Sequence, residues 1–382
     1  MPVLSVISPP SILLAQSAAG VKSVSMTAGI GSGERKCCSG GGNLGKGQTM
    51  SRIGIAVSGG PNPADIIDLV VLAESLGYES AWIAEGHGGD QFAVLAACAT
   101  RTSRIRLGTS ISSVFVRTAP TIAMAASTVA DLSGGRFILG LGSSHKAQVG
   151  PEHGMVYSKP LTRTRETVAI VRELIREGRV SFQGETIRIE NFDLSYTPRC
   201  RDIPVYLSAV FQKGIALCGE IGDGIILTRS TLRTAAQVRM HLAEGARAAG
   251  RAAAQIVVTS LLPTSVGDTR AAALAALRPG IAFYCGFFPR YNRMMAEHGF
   301  STEAGAIADA WARGDREAAE RAVSDEMIDA TSVSGTPDQC RAQIEAYRRS
   351  GIDVPIISPF ARGADAKRRF EAAIRACAPA AS

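Results

Sequence analysis

Histidine is scarce, the cysteines fall into no paired motif, and no stretch of the chain stays apolar for long. The 382 residues hold only five histidines, none paired with another. A hydrolytic metal site, which draws on convergent His, Cys and carboxylate ligands, is therefore not expected. Cysteines stand at 37, 38, 98, 200, 218, 285, 340 and 377 without a C-x-x-C. Cys98 and Cys218 sit in apolar helical patterns, where a free thiol behaves as a small hydrophobe, so a reduced, cytoplasmic setting is expected. No apolar run reaches the roughly 18–20 residues that cross a bilayer, which argues against a membrane partner. The formal charge of +7 includes no Lys/Arg stripe interleaved with aromatics, and aromatics make up only 5% of the chain. That argues against a nucleic-acid partner and leaves small-molecule chemistry.

Residues 1–49 differ from the rest. They are rich in Ser and Gly, as in Ser39-Gly40-Gly41-Gly42, and carry +3 of the net charge. Their one apolar patch, Ile12-Leu13-Leu14, precedes any basic residue, which is wrong for a secretory signal. Their basic, acid-poor composition has some likeness to an organellar transit peptide. The expectation is a disordered extension, or an over-extended gene start with Met50 as initiator. Residues 50–377 then form a single domain, with a flexible tail at 378–382.

From Arg52 onward, short apolar strands alternate with longer amphipathic helices. Strands are expected at Ile53–Val57, Ser80–Ala84, Ile105–Thr109, Phe137–Gly142, Ile203–Ser208, Gly224–Thr228, Gln255–Leu261 and Val354–Ser358. The first helix has Ile66, Leu69, Val70, Ala73 and Leu76 at helical spacing and stops at Gly77. Alternating apolar residues from Val180 to Ile189 about Gly184 read as a β-hairpin, and a helical insertion fills about Thr269–Thr331. Crossover helices force parallel pairing. Eight such units over this length favour a closed (β/α)₈ barrel, the TIM barrel, over an open doubly wound sheet.

An active site in such a barrel lies at the C-terminal strand ends. Those ends are Ser58-Gly59-Gly60, Glu85 to Asp90, Thr109 to Ser113, Gly142 to Lys146, Ser208-Ala209, Thr228-Arg229 and Ser358 to Phe360. They are rich in Ser, Thr and Gly and lack the facing carboxylates of a glycosidase. Backbone N–H groups exposed by small residues suit a flat heterocycle with a phosphate tail. Gly140-Leu141-Gly142 is no dinucleotide fingerprint, because position 145 is His and no helix follows at once; close backbone approach explains these glycines better. Glu85 is either a rim carboxylate paired with an arginine or a proton donor and substrate anchor. His87 is the other catalytic candidate, and Asp90 reads as the cap of the helix that starts at Gln91. Phe287, Phe288, Tyr291 and Phe300 in the insertion either line a substrate pocket or form core.

Taken together, Trp82-Ile83-Ala84-Glu85, Arg104 to Ser110, Gly134 to Gly142, His153-Gly154, Ile221 to Gly224 and Gly335-Thr336-Pro337 resemble the luciferase-like oxidoreductases. The stretch from Ala84 to Phe92, with Gly142-Ser143-Ser144, is more similar to the F420-dependent, methylene-tetrahydromethanopterin-reductase-like branch than to the FMN monooxygenases. The resemblance implies a cofactor ring over the strand C-termini and a non-prolyl cis peptide at Ser110-Ile111 that backs it. It implies an enzyme using coenzyme F420, with FMN and dioxygen as the alternative and a non-catalytic flavin-binding barrel or partner subunit as a second. It also implies a homodimer. Expected cofactor contacts are Ser58, Gly59, Thr109, Ser110, Ile111, Ser112, Gly142, Ser143, Ser144, Ser208, Ala209 and Lys213. Two features depart from the family: Phe211-Gln212 replaces the usual Gly-Pro before Lys213, and strand one lacks a terminal acid.

Overall fold

The computed structural model describes residues 52–57 and 59–379. The expectations for residues 1–49, Met50, Ser58 and the last three residues lie outside that range. β1 (Gly54–Ala56), β2 (Ser80–Ile83) and β3 (Arg106–Thr109) pair in chain order; a two-residue strand, β4 (Ser112–Ser113), follows, and β5 (Phe137–Gly142) continues the ring. A separate hairpin, β6 (Arg179–Gln183) and β7 (Arg188–Asp193), precedes β8 (Val205–Ser208), β9 (Gly224–Thr228) and β10 (Val257–Val266). β11 (Val333–Gly335) pairs with the far end of β10, and β12 (Val354–Pro359) joins β10 to β1 and closes the ring. The fold is the (β/α)₈ barrel expected from the alternation, with its hairpin and helical insertion.

The crossovers are α1 (Pro63–Ser75), α2 (Gln91–Arg101), α3 (Ala119–Ser133), a short α4 (Lys146–Val149), α5 (Pro160–Glu177), α6 (Gln212–Ile221) and α7 (Thr234–Ala248). The insertion holds α8 (Arg270–Phe287), α9 (Pro289–Glu297), α10 (Ser301–Ala312), α11 (Arg316–Arg321) and α12 (Asp325–Thr331); α13 (Pro337–Arg349) and α14 (Ala366–Ala376) complete the set. Asp90 caps α2, its carboxylate accepting from Ala93 N–H at 2.9 Å, as its position before the apolar run implied. No single helix among the described residues is long and apolar enough to cross a membrane.

The seventh barrel strand runs past the expected Leu261 to Val266, because Thr264–Val266 finds a partner in Val333–Gly335. β4 and β11 escaped the sequence reading. A period of two residues cannot show in strands this short.

Large side chains facing glycines fill the barrel. Trp82 and Tyr206 meet inside it with ring centroids 5.8 Å apart, among Ala56, Ile138, Ile226, Val354 and Ile356. Their bulk requires glycine opposite: a Cβ on Gly108 would stand 2.4 Å from the Trp82 ring, and one on Gly224 2.8 Å from the Tyr206 ring. The interior is thus a packed core in its lower layers.

Between β3 and β5 the register slips. Gly108 lies opposite Ile138 while Ser112 lies opposite Leu141, so four residues on one side span three on the other. This is a bulge. At its start Gly140 lies so close to β3 that an added Cβ would meet the Thr109 carbonyl oxygen at 1.9 Å. The Thr109 hydroxyl donates to Gly140 O and accepts from Gly140 N–H, both at 2.8 Å, replacing ladder bonds that the bulge breaks.

The hairpin is held by one carboxylate. Glu166 on α5 accepts from the N–H groups of Glu185 (2.6 Å), Thr186 (3.0 Å) and Ile187 (2.9 Å) and from the Thr186 hydroxyl. Burial works against the charged form, but these donors outweigh it and keep the Glu166 carboxyl below its ordinary value.

Gly140→Ala is expected to lower stability by about 2–3 kcal/mol in urea unfolding. Gly280→Ala in α8, where a Cβ meets nothing within 4 Å, should raise it by roughly 0.5–1 kcal/mol. Because the Glu166 carboxyl is depressed in the fold, its contribution is complete above roughly pH 4–5 and is lost as pH falls through the lower folded value. Hydrogen exchange on Glu166→Gln at pH 7 should show faster amide exchange across residues 184–187 than in the wild type; equal rates would contradict the anchor.

Candidate active site

Side chains on a strand alternate, so the inward set can be followed upward from the core. Continuing the period of Ile138, Tyr206, Ile226 and Ile356 brings Gly142, Ser208, Thr228 and Ser358 to the C-terminal mouth. Ile111 and Leu261 pack against the interior cluster and form an apolar floor. A Cβ on Gly142 would lie 3.0 Å from Ile111 Cγ1 and 3.3 Å from Ser208 Cβ. Three of the expected cofactor contacts, from β5, the bulge and β8, therefore converge. The Ser110–Ile111 peptide is cis. Ser110 is buried, and its hydroxyl has no hydrogen-bond partner among the described residues. The mouth thus brings together apolar side chains from opposite strands, hydroxyl-bearing strand ends and one buried hydroxyl without a partner among the described residues.

Other expected contacts lie on the rim or are committed elsewhere. The Thr109 hydroxyl bonds to both backbone groups of Gly140 and holds the strands together. Ser112 is fully buried and its hydroxyl turns to Glu85 at 3.4 Å. Ser143 accepts from the Tyr157 hydroxyl at 3.1 Å, and Ser144 bends the chain with φ +52°. Ala209 is half-buried beside Gly214, and Lys213 is exposed in the first turn of α6. Gly59, with φ +68°, lies near Phe360.

Glu85 proves to be the arginine-paired carboxylate. It accepts from Ser113 N–H at 2.8 Å and from the Arg117 guanidinium, which also reaches Asp90. Burial works against the Arg117 cation, but Asp90 and Glu85 outweigh it and raise its pKa. Asp90 is disfavoured by burial yet lowered by the Ala93 N–H and Arg117. The partners around Glu85 are all donors, and through them it holds β4 in place. His87 is a rim residue, its side chain 75% exposed and 3.0 Å from Glu152.

Two residues at inspected strand ends prove more distinctive than the sequence indicated. Arg229 follows β9 directly, in a left-handed backbone with φ +52°. It is 6% exposed, and Nη1 is buried with no acceptor. Its guanidinium stacks 4.2 Å from the Tyr284 ring centroid. A desolvated cation–π contact contributes about 2 kcal/mol, less than the several kcal/mol that an uncompensated buried charge costs. His145 packs against Phe288 and Tyr291, with ring centroids 4.4 and 5.2 Å away. Burial, reinforced by the Arg290 cation, pushes its pKa down to about 4. Phe288 and Tyr291 belong to the insertion's own core, with Phe287 and Phe300 packed against it. These aromatics therefore form core. No group of three or more His, Cys, Asp or Glu among the described residues is placed to hold a metal ion.

A parallel barrel with a small-residue bowl at its mouth defines a class of ligand-binding barrel enzymes. Within that class the assignment is specific: the family model for luciferase-like monooxygenases matches residues 46–354. The chain belongs to this luciferase-like family of enzymes. It is 31% identical to 5,10-methylenetetrahydromethanopterin reductase of Methanolobus tindarius over 284 residues, covering 74% of this chain and 86% of the relative. The corresponding reductase of Archaeoglobus fulgidus is 29% identical, covering 79% and 91%. The solved coenzyme F420 dependent tetrahydromethanopterin reductase of Methanopyrus kandleri superposes with a TM-score of 0.75 at 26% identity, covering 86% of this chain and 98% of that one.

The Glu85–Arg117 bridge is well shielded, with side chains 13% and 21% exposed. Arg117→Met is expected to cost about 2 kcal/mol in urea unfolding, and Glu85→Gln in the same chain should recover part of that loss. A neutral single substitution would show that the bridge is ornamental.

Proposed function

We propose that this chain is an F420-dependent oxidoreductase that transfers a hydride between the deazaflavin and a small organic substrate. The observation that carries the reading is the bowl itself. Ile111 and Leu261 give a flat apolar floor, Gly142 leaves space where any side chain would intrude, and Ser208, Thr228 and Ser358 supply hydroxyls around the edge. A planar tricycle with polar edges suits such a surface. The reductases similar to this chain support the choice of F420 over FMN.

When bound, the deazaflavin supplies the carbon that gives or accepts the hydride. The chain's residues do the rest. Ile111 would give the ring an apolar contact, and the Ser110 hydroxyl, without a partner among the described residues, would be free to hydrogen-bond to it. At the start of α6, Phe211 provides no side-chain cap, so the first-turn N–H groups are available to a phosphate, with Lys213 beside them. Ser143 accepts from Tyr157 and keeps its own proton to donate. Glu85, Arg117 and Asp90 hold β4 and α2 in register beneath these contacts, and the aromatic insertion shields the far side of the mouth from water.

Titrating the full chain with F420 and with FMN, followed by cofactor fluorescence, tests the reading. Saturable F420 binding is expected, with FMN at least tenfold weaker, a difference of about 1.4 kcal/mol or more. Gly142→Val should weaken F420 binding at least tenfold, because its side chain enters the space between Ile111 and Ser208. Tight FMN binding without an F420 response would favour the monooxygenase reading. Binding of F420 with no turnover on carbonyl, imine and alkene panels would favour a non-catalytic barrel.

A further inference from the structure

The proposed function leaves open what kind of substrate enters the bowl, and the buried cation above β9 bears on that question. Arg229 is nine-tenths buried at a barrel-strand end, and its guanidinium makes no salt bridge or side-chain hydrogen bond among the described residues. Its position is fixed by the backbone. Arg229 N–H donates to Leu261 O at 3.1 Å. The next residue is clamped by Ser260 Oγ–H donating to Ser230 Oγ and by Tyr347 O–H donating to Ser230 O, both at 2.9 Å. A guanidinium held this firmly, with φ in the left-handed region that disfavours an arginine, is a placed group rather than a stray one.

Among the described residues no carboxylate lies within salt-bridge distance of the Arg229 guanidinium. Tyr284 covers one face of the guanidinium. Of the groups whose charge acts on the neighbouring Tyr291, the cations are Arg229 and Arg290, and none is a carboxylate. Stacking on a tyrosine offsets far less than removing water from an unpaired guanidinium costs. An acceptor brought by a bound ligand would complete the site. A guanidinium matches a planar carboxylate through two parallel hydrogen bonds, and the aromatic wall of the insertion matches an apolar or aromatic body behind it.

We propose that Arg229 is the receptor for a carboxylate on the substrate, so that the substrate class is a small organic acid with a planar apolar body. This deepens the proposed function and takes its redox bowl as the place where such an acid is presented. The same chemistry has a second source, the anionic tail of the cofactor.

Benzoate, with benzamide as the neutral control, is the probe, titrated calorimetrically into the full chain and into Arg229→Met and Arg229→Lys. Wild type should bind benzoate at least tenfold more tightly than benzamide. Arg229→Met should lose at least tenfold in benzoate affinity, and Arg229→Lys should keep part of it. In parallel, F420 and the same deazaflavin chromophore without its phosphate-bearing tail are titrated by fluorescence, and their affinities should change less than twofold in both variants. A tenfold loss for F420 in Arg229→Met, with the tail-less chromophore unaffected, would assign the guanidinium to the cofactor and overturn the proposal. Failure of wild type to prefer benzoate, or equal benzoate binding by Arg229→Met, would also overturn it. If Arg229→Met does not fold, unchanged benzoate affinity in a folded Arg229→Gln would do the same. Benzoate recognition without any F420 binding would leave this proposal standing and remove the redox reading instead.

Discussion

The close approach of β5 to the end of β3 at Gly140 sets the geometry of everything at the barrel mouth. The Thr109 carbonyl oxygen occupies the space that a side chain at Gly140 would need, and the Thr109 hydroxyl bonds to both backbone groups of Gly140. Buried backbone polar groups must be satisfied, and here one side chain satisfies two of them where the ladder is broken. The chain can then bulge, present Ile111 inward, and rejoin β5 at Leu141 and Gly142. Without that local solution the third strand would continue straight and the apolar floor would lose one of its two sides.

A second set of contacts keeps this arrangement fixed. Glu85 leaves β2, accepts from Ser113 N–H and pairs with Arg117, which also holds the cap of α2. The barrel wall, the bulge and the next crossover helix are thereby tied through one guanidinium. Below them, Trp82 and Tyr206 fill the interior against glycines. Above them, the inward positions of β5, β8, β9 and β12 shrink to Gly142, Ser208, Thr228 and Ser358. This change from bulky to small along one strand face is what turns a filled barrel into a filled barrel with a bowl.

The architecture was legible in the sequence because its signals are long and periodic. Alternating strands and amphipathic helices gave the closed barrel, and the alternation around Gly184 gave the hairpin. Asp90 before the apolar run of α2 gave a true cap. The site was only half legible. Gly142, Ile111 and Ser208 converge because strand ends in a barrel must converge, a rule of topology that sequence order carries. Whether a hydroxyl points to a ligand or to a neighbour depends on contacts across the chain, and sequence order does not carry those. Thr109 and Ser112 were read as ligand contacts for their residue type, yet their partners are Gly140 and Glu85. Arg229 was visible as a residue at a strand end. Its distinguishing property, a buried Nη1 with no acceptor among the described residues, is one that no linear pattern reveals.

The central claim is that a flat redox ring lies on the floor made by Ile111 and Leu261, beside Gly142. A crystal structure of the full chain grown with F420 tests this most directly. The account predicts density for the tricycle within about 4 Å of Ile111, Gly142 and Ser208, with its tail directed toward the start of α6. Ordered cofactor density elsewhere on the barrel, with these three residues untouched, would contradict it.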